Sequence, residues 1–408
     1  MPKKTRTGLM YSDAFANYKA GDGYLCMSAG FNPWMATNDY YDTPERVTEA
    51  RDLLEKSGLL AKLTSVKAVK ADKEALVGFH SQDYVDKLDR LSAGQGGEVG
   101  ELCQIGRGGL DVIREAVGGD MAALDAIMAG EIDNAFCLQR PPSAHAERDR
   151  GFGFCVVNDF NILIDYARKK YGLKRIMVID FDNHYKKGIE DAWYGTDEVL
   201  YAEIHQTGAL PENSAADRNA DMIGEGAGKG YNVVIPMPAG AGDEAYIKAF
   251  EDIIIPIGMQ YRPGLVVLIA GYASNIFDPL CRQQITATGY RKLVELVRGL
   301  ADATAHGRLI AILEGGKGNY MSFCILKSIE ALSGEATEVT DPTAGLIVRN
   351  HLSHDQQAAI DAGRPCSRLT GNCKSVVLLW SWWCACASSV MPKLSVKNSL
   401  FGSDCVRE

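Results

Sequence analysis

The sequence predicts a three-layer α/β fold in which helices cover both faces of a central, mostly parallel sheet. Three observations carry this expectation. Short apolar runs recur at 175–180, 199–205, 231–235, 265–270 and 308–313, and they are continuous rather than alternating. Continuous runs mark strands buried on both faces, as in parallel sheets. Helical patterns at 158–170, 244–261, 288–306 and 322–332 alternate with these strands, the order expected of a sheet wound with crossover helices. Finally, polar and charged clusters sit directly behind strands, where the carboxyl edge of such a sheet places a functional site.

Taken in order, residues 8–42 are rich in Gly, Tyr, Asn and Asp and read as a long surface loop. Thr43 then offers an N-cap, with Pro44 at the first helical position and Glu45 and Glu49 in the early turns. Val47, Ala50, Leu53 and Leu54 follow at helical spacing up to Gly58. A strand over 63–69 and a helix over 71–91 come next, the latter carrying His80, read more readily as a packed or capping histidine than as a ligand. Glycines at 94–97 and 106–109 bracket a flexible connection and lack the spacing of a dinucleotide loop. A helix over 112–128 leads to a short strand at 134–138.

The chain has 408 residues, 46% hydrophobic and 23% charged, which is ample for a large core. A net charge of −9 argues against nucleic-acid binding through the overall field. The basic start of the chain has no apolar run behind it, so no secretory signal is read there and a cytoplasmic location is expected. Of the eleven cysteines, those before residue 360 are scattered singly, as small buried hydrophobes in a reducing compartment would be. The last stretch is different. It concentrates Cys and Trp and holds an uncharged apolar run at 376–391. A membrane anchor, a packed terminal element and an ill-ordered extension are all open readings of it, no membrane span being expected overall. The expected organisation is a domain over 1–350 and an atypical extension over 351–408.

Two clusters carry the chemistry. The first is Arg140-Pro141-Pro142-Ser143-Ala144-His145, followed by Gly151-Phe152-Gly153-Phe154-Cys155. The second is Asp180-Phe181-Asp182-Asn183-His184 at the end of an apolar strand. Alternation along a strand puts Asp180, Asp182 and His184 on one face. Two carboxylates and an imidazole there suit a divalent metal, the alternative being a solvated acidic strand end.

These blocks, together with Ile204-His205-Gln206, Ala270-Gly271-Tyr272, Asp278-Pro279-Leu280 and Glu314-Gly315-Gly316, resemble histone-deacetylase-like amidohydrolases of the arginase/deacetylase superfamily, bacterial class II type, over residues 8–345. The resemblance implies the arginase/deacetylase-like α/β fold, a Zn2+ ion, a structural monovalent cation, and hydrolysis of an acyl amide by metal-activated water. It implies Asp182 and His184 as metal ligands. His145 stands as the second of a histidine pair, and Asp180 as the carboxylate that orients the first. Phe152, Phe154, Tyr272, Gly315 and Gly316 are the expected substrate tunnel. The expected partner is an acyl-lysine peptide, an acetylpolyamine or a small amide, with a homo-oligomer compatible.

Four positions depart from the family pattern. Ala144 replaces the first histidine, Ala273 the third metal ligand, and Lys317 the oxyanion tyrosine. Tyr185-Lys186-Lys187-Gly188 replaces a His-Gly-polar-Gly turn and adds two cations beside the metal position. Asp278 and Glu203 are candidate replacement oxygen ligands, and Lys317 and Tyr320 candidate oxyanion donors. Two functions follow as expectations: a zinc amidohydrolase, and a catalytically silent relative that keeps the acyl-lysine pocket for binding or assembly. An arginase-type two-metal hydrolase needs more carboxylates and histidines than remain.

Overall fold

The computed structural model describes residues 5–20, 23–24, 27–28, 41–209, 219–346 and 351–364. Eight strands form one sheet: β1 Thr7–Tyr11, β2 Thr64–Lys67, β3 Asn134–Cys137, β4 Ile176–Asp180, β5 Val199–Gln206, β6 Asn232–Met237, β7 Leu265–Ala270 and β8 Leu309–Leu313. Their spatial order is β6-β5-β4-β7-β8-β3-β1-β2, and every pair is parallel. All residues of β4, β5 and β7 are buried, as the continuous apolar runs require of strands covered on both faces. Pro236 is tolerated within β6 because that strand is an edge.

The helices are α1 Glu45–Lys56, α2 Gln82–Ala93, α3 Gly109–Met128, α4 Asp159–Tyr171, α5 Lys187–Trp193, α6 Ala287–Thr304, α7 Tyr320–Ser333 and α8 His354–Gly363. A further helical run spans 243–261 and includes one wide turn at Phe250–Ile254. One layer packs α1, α7, α6 and the 243–261 run; α3, α4 and α5 pack together separately. Helix starts follow their caps. The Asn158 side chain accepts the amide of Asn161 at 3.0 Å, and the Thr286 hydroxyl accepts that of Gly289 at 3.0 Å.

Several expectations need correction. Thr7–Tyr11 lies inside the sheet between β3 and β2, within what the sequence presents as loop. Its five residues show no periodicity, and its pairing is supplied by neighbours distant in sequence. The 71–91 helix is two helices, Lys73–Val77 and α2, interrupted around His80. His80 is a packed residue: one ring nitrogen faces the Arg148 carbonyl at 3.0 Å, the other accepts the Asn158 amide at 2.9 Å, and burial lowers it to about 4. The 94–109 connection contains a hairpin, Gly97–Glu101 with Cys103–Ile105. The first helix begins one residue later than expected, with Pro44 at the cap.

A further helix lies just beyond the expected boundary at 350. Helix α8 packs on β6, where Ile360 is fully buried and a Cβ at Gly363 would lie 3.2 Å from Ile253. The 376–391 run lies outside the described residues. Within them no helix is long and apolar enough to cross a membrane. Among the described residues five cysteines are free thiols, four of them buried.

A buried acid pair tests this core. Asp120 on α3 and Asp159 on α4 both accept from Gln139 Nε2, at 3.1 and 2.9 Å. Burial raises Asp120 to about 7, and burial plus its neighbour's charge holds Asp159 well above the carboxylate range. The folded state therefore keeps a proton that the unfolded chain releases near its ordinary value of 3.8. Stability from Asp120 falls as pH rises between about 4 and about 7, by about 1.4 kcal/mol per pH unit for one retained proton, then levels off. In urea unfolding, Asp120→Asn should gain stability relative to the native chain as pH is raised through that window; parallel pH profiles would refute the assignment.

Candidate active site

Four strands adjacent in the sheet, β4, β7, β8 and β3, deliver the site at their carboxyl ends. After β3 comes the segment to His145; after β4, Asp182 and His184; after β7, Gly271 to Ala273; after β8, Glu314 to Gly316. A cavity of about 190 Å³ opens there, lined by Tyr41, Leu102, Pro142, His145, Gly153, Phe154, Asp182, His184, Leu280, Glu314 and Gly315. The rings of Tyr41 and Phe154 stack with centroids 4.9 Å apart.

Asp182 is wedged between two glycines. A Cβ on Gly271 would come within 2.2 Å of the Asp182 Cγ, and one on Gly315 within 2.6 Å of Oδ2. Its Oδ1 accepts the amide of Ala273 at 3.2 Å, so the alanine at the expected third-ligand position meets Asp182 only through its backbone. Its Oδ2 accepts Lys186 Nζ at 2.5 Å. Lys186 is wholly buried and completes its hydrogen bonds on His145 Nε2 at 3.1 Å and the His184 carbonyl at 3.0 Å. An ammonium has three protons to donate, and these partners take all of them.

The protonation states follow. Burial opposes the Lys186 charge, but Asp182, Asp180 and Glu314 outweigh it and hold the ammonium above its ordinary range. Burial likewise opposes ionisation of Asp182, which Lys186 and His184 overcome. Burial, Lys186 and His184 push His145 well below its usual value; burial lowers His184 to about 4. A neutral His145 that accepts from Lys186 at Nε2 carries its own proton on Nδ1. Its Nε2 lone pair is then engaged and unavailable to a water.

The other expected site residues divide. Asp180 is fully buried and raised well above the carboxylate range by burial; with Ala144 in place of a histidine, it accepts the Asp182 amide at 2.7 Å. Glu314 accepts the amides of Ser143 and Ala144 at 2.8 and 3.2 Å. Lys317 lies with Nζ 5.9 Å from the Tyr41 ring. Phe154 and Gly315 line the cavity.

Six placements are corrected. Asp278 spends its oxygens on the amides of Leu280, Cys281 and Lys317 and on the Tyr41 hydroxyl, and it is not among the converging metal donors. Glu203 faces His205 Nδ1 at 2.9 Å. The Tyr320 hydroxyl is committed to Asp341 at 2.8 Å and accepts the Ala287 amide, so it is a clasp on α6 rather than an oxyanion donor. Tyr272 packs in the core against Tyr290 and Phe181, with centroids 4.9 and 6.0 Å away. Phe152 packs 6.0 Å from the His145 ring and Gly316 supports the wall through its backbone, neither lining the cavity. Sequence reasoning missed Tyr41, Leu102 and Leu280. Tyr41 lies in a stretch without pattern, and Leu102 reaches the cavity from a turn with a φ of 54°.

His145, Asp182 and His184 offer donor atoms that all lie within 4.8 Å of one another, a carboxylate and two imidazoles of the kind zinc takes. Lys186 Nζ already contacts two of these donor atoms, Asp182 Oδ2 at 2.5 Å and His145 Nε2 at 3.1 Å. A dication placed there would face a buried ammonium at contact distance, with a single carboxylate to offset both. The residues present do not fit a resident metal.

The loops that carry these groups are held by Asp42. It accepts Arg46 Nη1 at 2.5 Å and Arg140 Nε at 2.9 Å, all three side chains being buried. Arg46 also donates to the carbonyls of Gly316, at 2.8 Å, and Glu314. Arg46→Met should cost roughly 3 kcal/mol in denaturant unfolding, the low end for removing one partner of a buried pair. Arg46→Lys should recover little of it, because one ammonium cannot reproduce the planar fork that spans a carboxylate and two carbonyls. Full stability in either variant would show that the fork does not hold the 314–316 turn.

Comparison with known proteins places this geometry. The histone deacetylase domain family matches residues 40–330. The chain is 35% identical over 346 residues to the histone deacetylase-like amidohydrolase of Pseudomonas aeruginosa, covering 84% of this chain and 90% of that protein. It is 34% identical over 291 residues to human polyamine deacetylase HDAC10, covering 67% of this chain and 42% of the relative. The crystal structure of the HDA15 HD domain superposes with a TM-score of 0.78 at 22% identity, over 93% of this chain and 99% of that one.

Proposed function

This chain belongs to the histone deacetylase family, and from that membership we propose that its pocket binds an acylated amine, an acyl-lysine or acylpolyamine, without metal-dependent hydrolysis. The observation that carries this reading is the pairing of an apolar, aromatic-walled cavity with a lining carboxylate, Asp182, already engaged by the buried Lys186. Tyr41, Phe154, Leu102, Pro142 and Leu280 offer the surface that an acyl chain and its methylene stem would bury. At the floor, Lys186 has no proton left to donate to a carbonyl, and the His145 lone pair that would serve as a base is engaged. The relatives support the substrate class, since their names are those of an amidohydrolase and a polyamine deacetylase.

The hydrolase reading keeps one observation of its own, the convergence of His145, Asp182 and His184. Zinc, where a deacetylase holds it, polarises the amide carbonyl and acidifies a water. Two measurements on the full chain separate the readings. Isothermal titration with an acetyl-lysine peptide should give saturable binding, weakened on the order of tenfold by Phe154→Ala through loss of aromatic surface. An acetyl-lysine reporter with added zinc should show no turnover above a His145→Ala control. Turnover above that control would establish the hydrolase, and failure to bind peptide would remove the binding reading.

A further inference from the structure

We propose that Lys186 is a built-in substitute for the metal: its ammonium occupies the point where His145, Asp182 and His184 converge, and removing it opens a divalent-cation site formed by those three. The inference concerns the floor of the pocket and stands whether or not the pocket binds acyl-lysine.

The ammonium sits against all three converging residues. Lys186 Nζ lies 2.5 Å from Asp182 Oδ2, 3.1 Å from His145 Nε2 and 3.0 Å from the carbonyl of His184. Two of these three are the donor atoms or residues of the converging set, and the third belongs to the remaining member's backbone. The ammonium is wholly buried, so it is held in place by the site and not by solvent. Its backbone position enforces this, because Lys186 caps α5 and its side chain reaches back over the turn that begins at His184.

Asp182 cannot serve two cations. Gly271 and Gly315 press on its carboxylate from either side, and the Ala273 amide takes Oδ1. The carboxylate is therefore fixed in one orientation, with Oδ2 alone directed at the centre. Lys187 does not share the role: its ammonium pairs with Asp191 and Glu147 toward the surface. With the Lys186 side chain gone, the same cluster presents one carboxylate oxygen and two neutral imidazoles around a vacated point. That is the ligand set of a three-residue zinc or cobalt site completed by water.

The test compares metal binding by the native full chain, Lys186→Ala and Lys186→Ala/His184→Ala. Each is dialysed against Zn2+ or Co2+ and assayed for bound metal, for the cobalt visible spectrum and for the metal dependence of Tm. The native chain should hold well under one equivalent at this site. Lys186→Ala should bind one Co2+ or Zn2+ per chain at least a hundredfold more tightly, with a tetrahedral cobalt spectrum and a metal-dependent rise in Tm, and the double variant should lose all three. A folded Lys186→Ala that takes up no metal would overturn the proposal. So would a native chain that holds one zinc per chain and loses it on Asp182→Ala. Should Lys186→Ala fold only with metal present, the same zinc-dependent recovery, absent in the double variant, supports the proposal; failure to fold with or without zinc would overturn it, since the three ligands would then not form a site.

Discussion

The ion pair between Lys186 and Asp182 is the interaction around which the carboxyl edge of this sheet is built. Both groups are buried, and burial of either alone would cost several kcal/mol. Each is satisfied by the other and by backbone: Asp182 by the Ala273 amide, Lys186 by the His184 carbonyl. His145 is drawn into the same network as an acceptor, which fixes its tautomer and removes its lone pair from chemistry. One side chain thus pairs the Asp182 charge and engages the His145 lone pair.

Around this centre the chain keeps a rigid frame. The Asp42 carboxylate joins two arginines from elements far apart in sequence, and Arg46 extends to the carbonyls of the turn behind β8. Glu314, on that turn, receives the amides of Ser143 and Ala144 and so ties the β8 and β3 loops together. The precision of the pocket comes from these buried backbone contacts. None of them draws on the side chains at positions 144, 273 and 317.

The same distinction explains what was legible in the sequence. Buried parallel strands advertise themselves as apolar runs, and the run at 265–270 coincides with strand β7. Asp182, His184 and His145 were legible as one site because each follows a strand on the same edge. Strand β1 was not, since a five-residue segment without periodicity owes its pairing to β2 and β3. Tyr320 and Asp278 were misplaced because proximity in sequence to a motif does not reveal which buried acceptor or donor claims a hydroxyl or carboxylate first. Lys186 was visible as an unfavourable charge beside a metal position. Only the fold shows that its Nζ reaches Asp182 Oδ2 and His145 Nε2.

Charge explains why the substitutions belong together. The family resemblance implies a dication held by two carboxylates, a formally neutral centre. Replacing one carboxylate by Ala273 while keeping the dication would leave an uncompensated positive charge in a buried site. Adding Lys186 while keeping both carboxylates would leave a negative charge without the metal, or a positive one with it. Each single change carries the penalty of an unpaired buried charge. Made together, and without a dication, they would leave one ammonium against one carboxylate, the Lys186–Asp182 pair. On this reasoning Ala273 and Lys186 form a coupled pair: the alanine removes the ligand that a metal would need most, and the lysine supplies the charge that the remaining aspartate cannot be buried without.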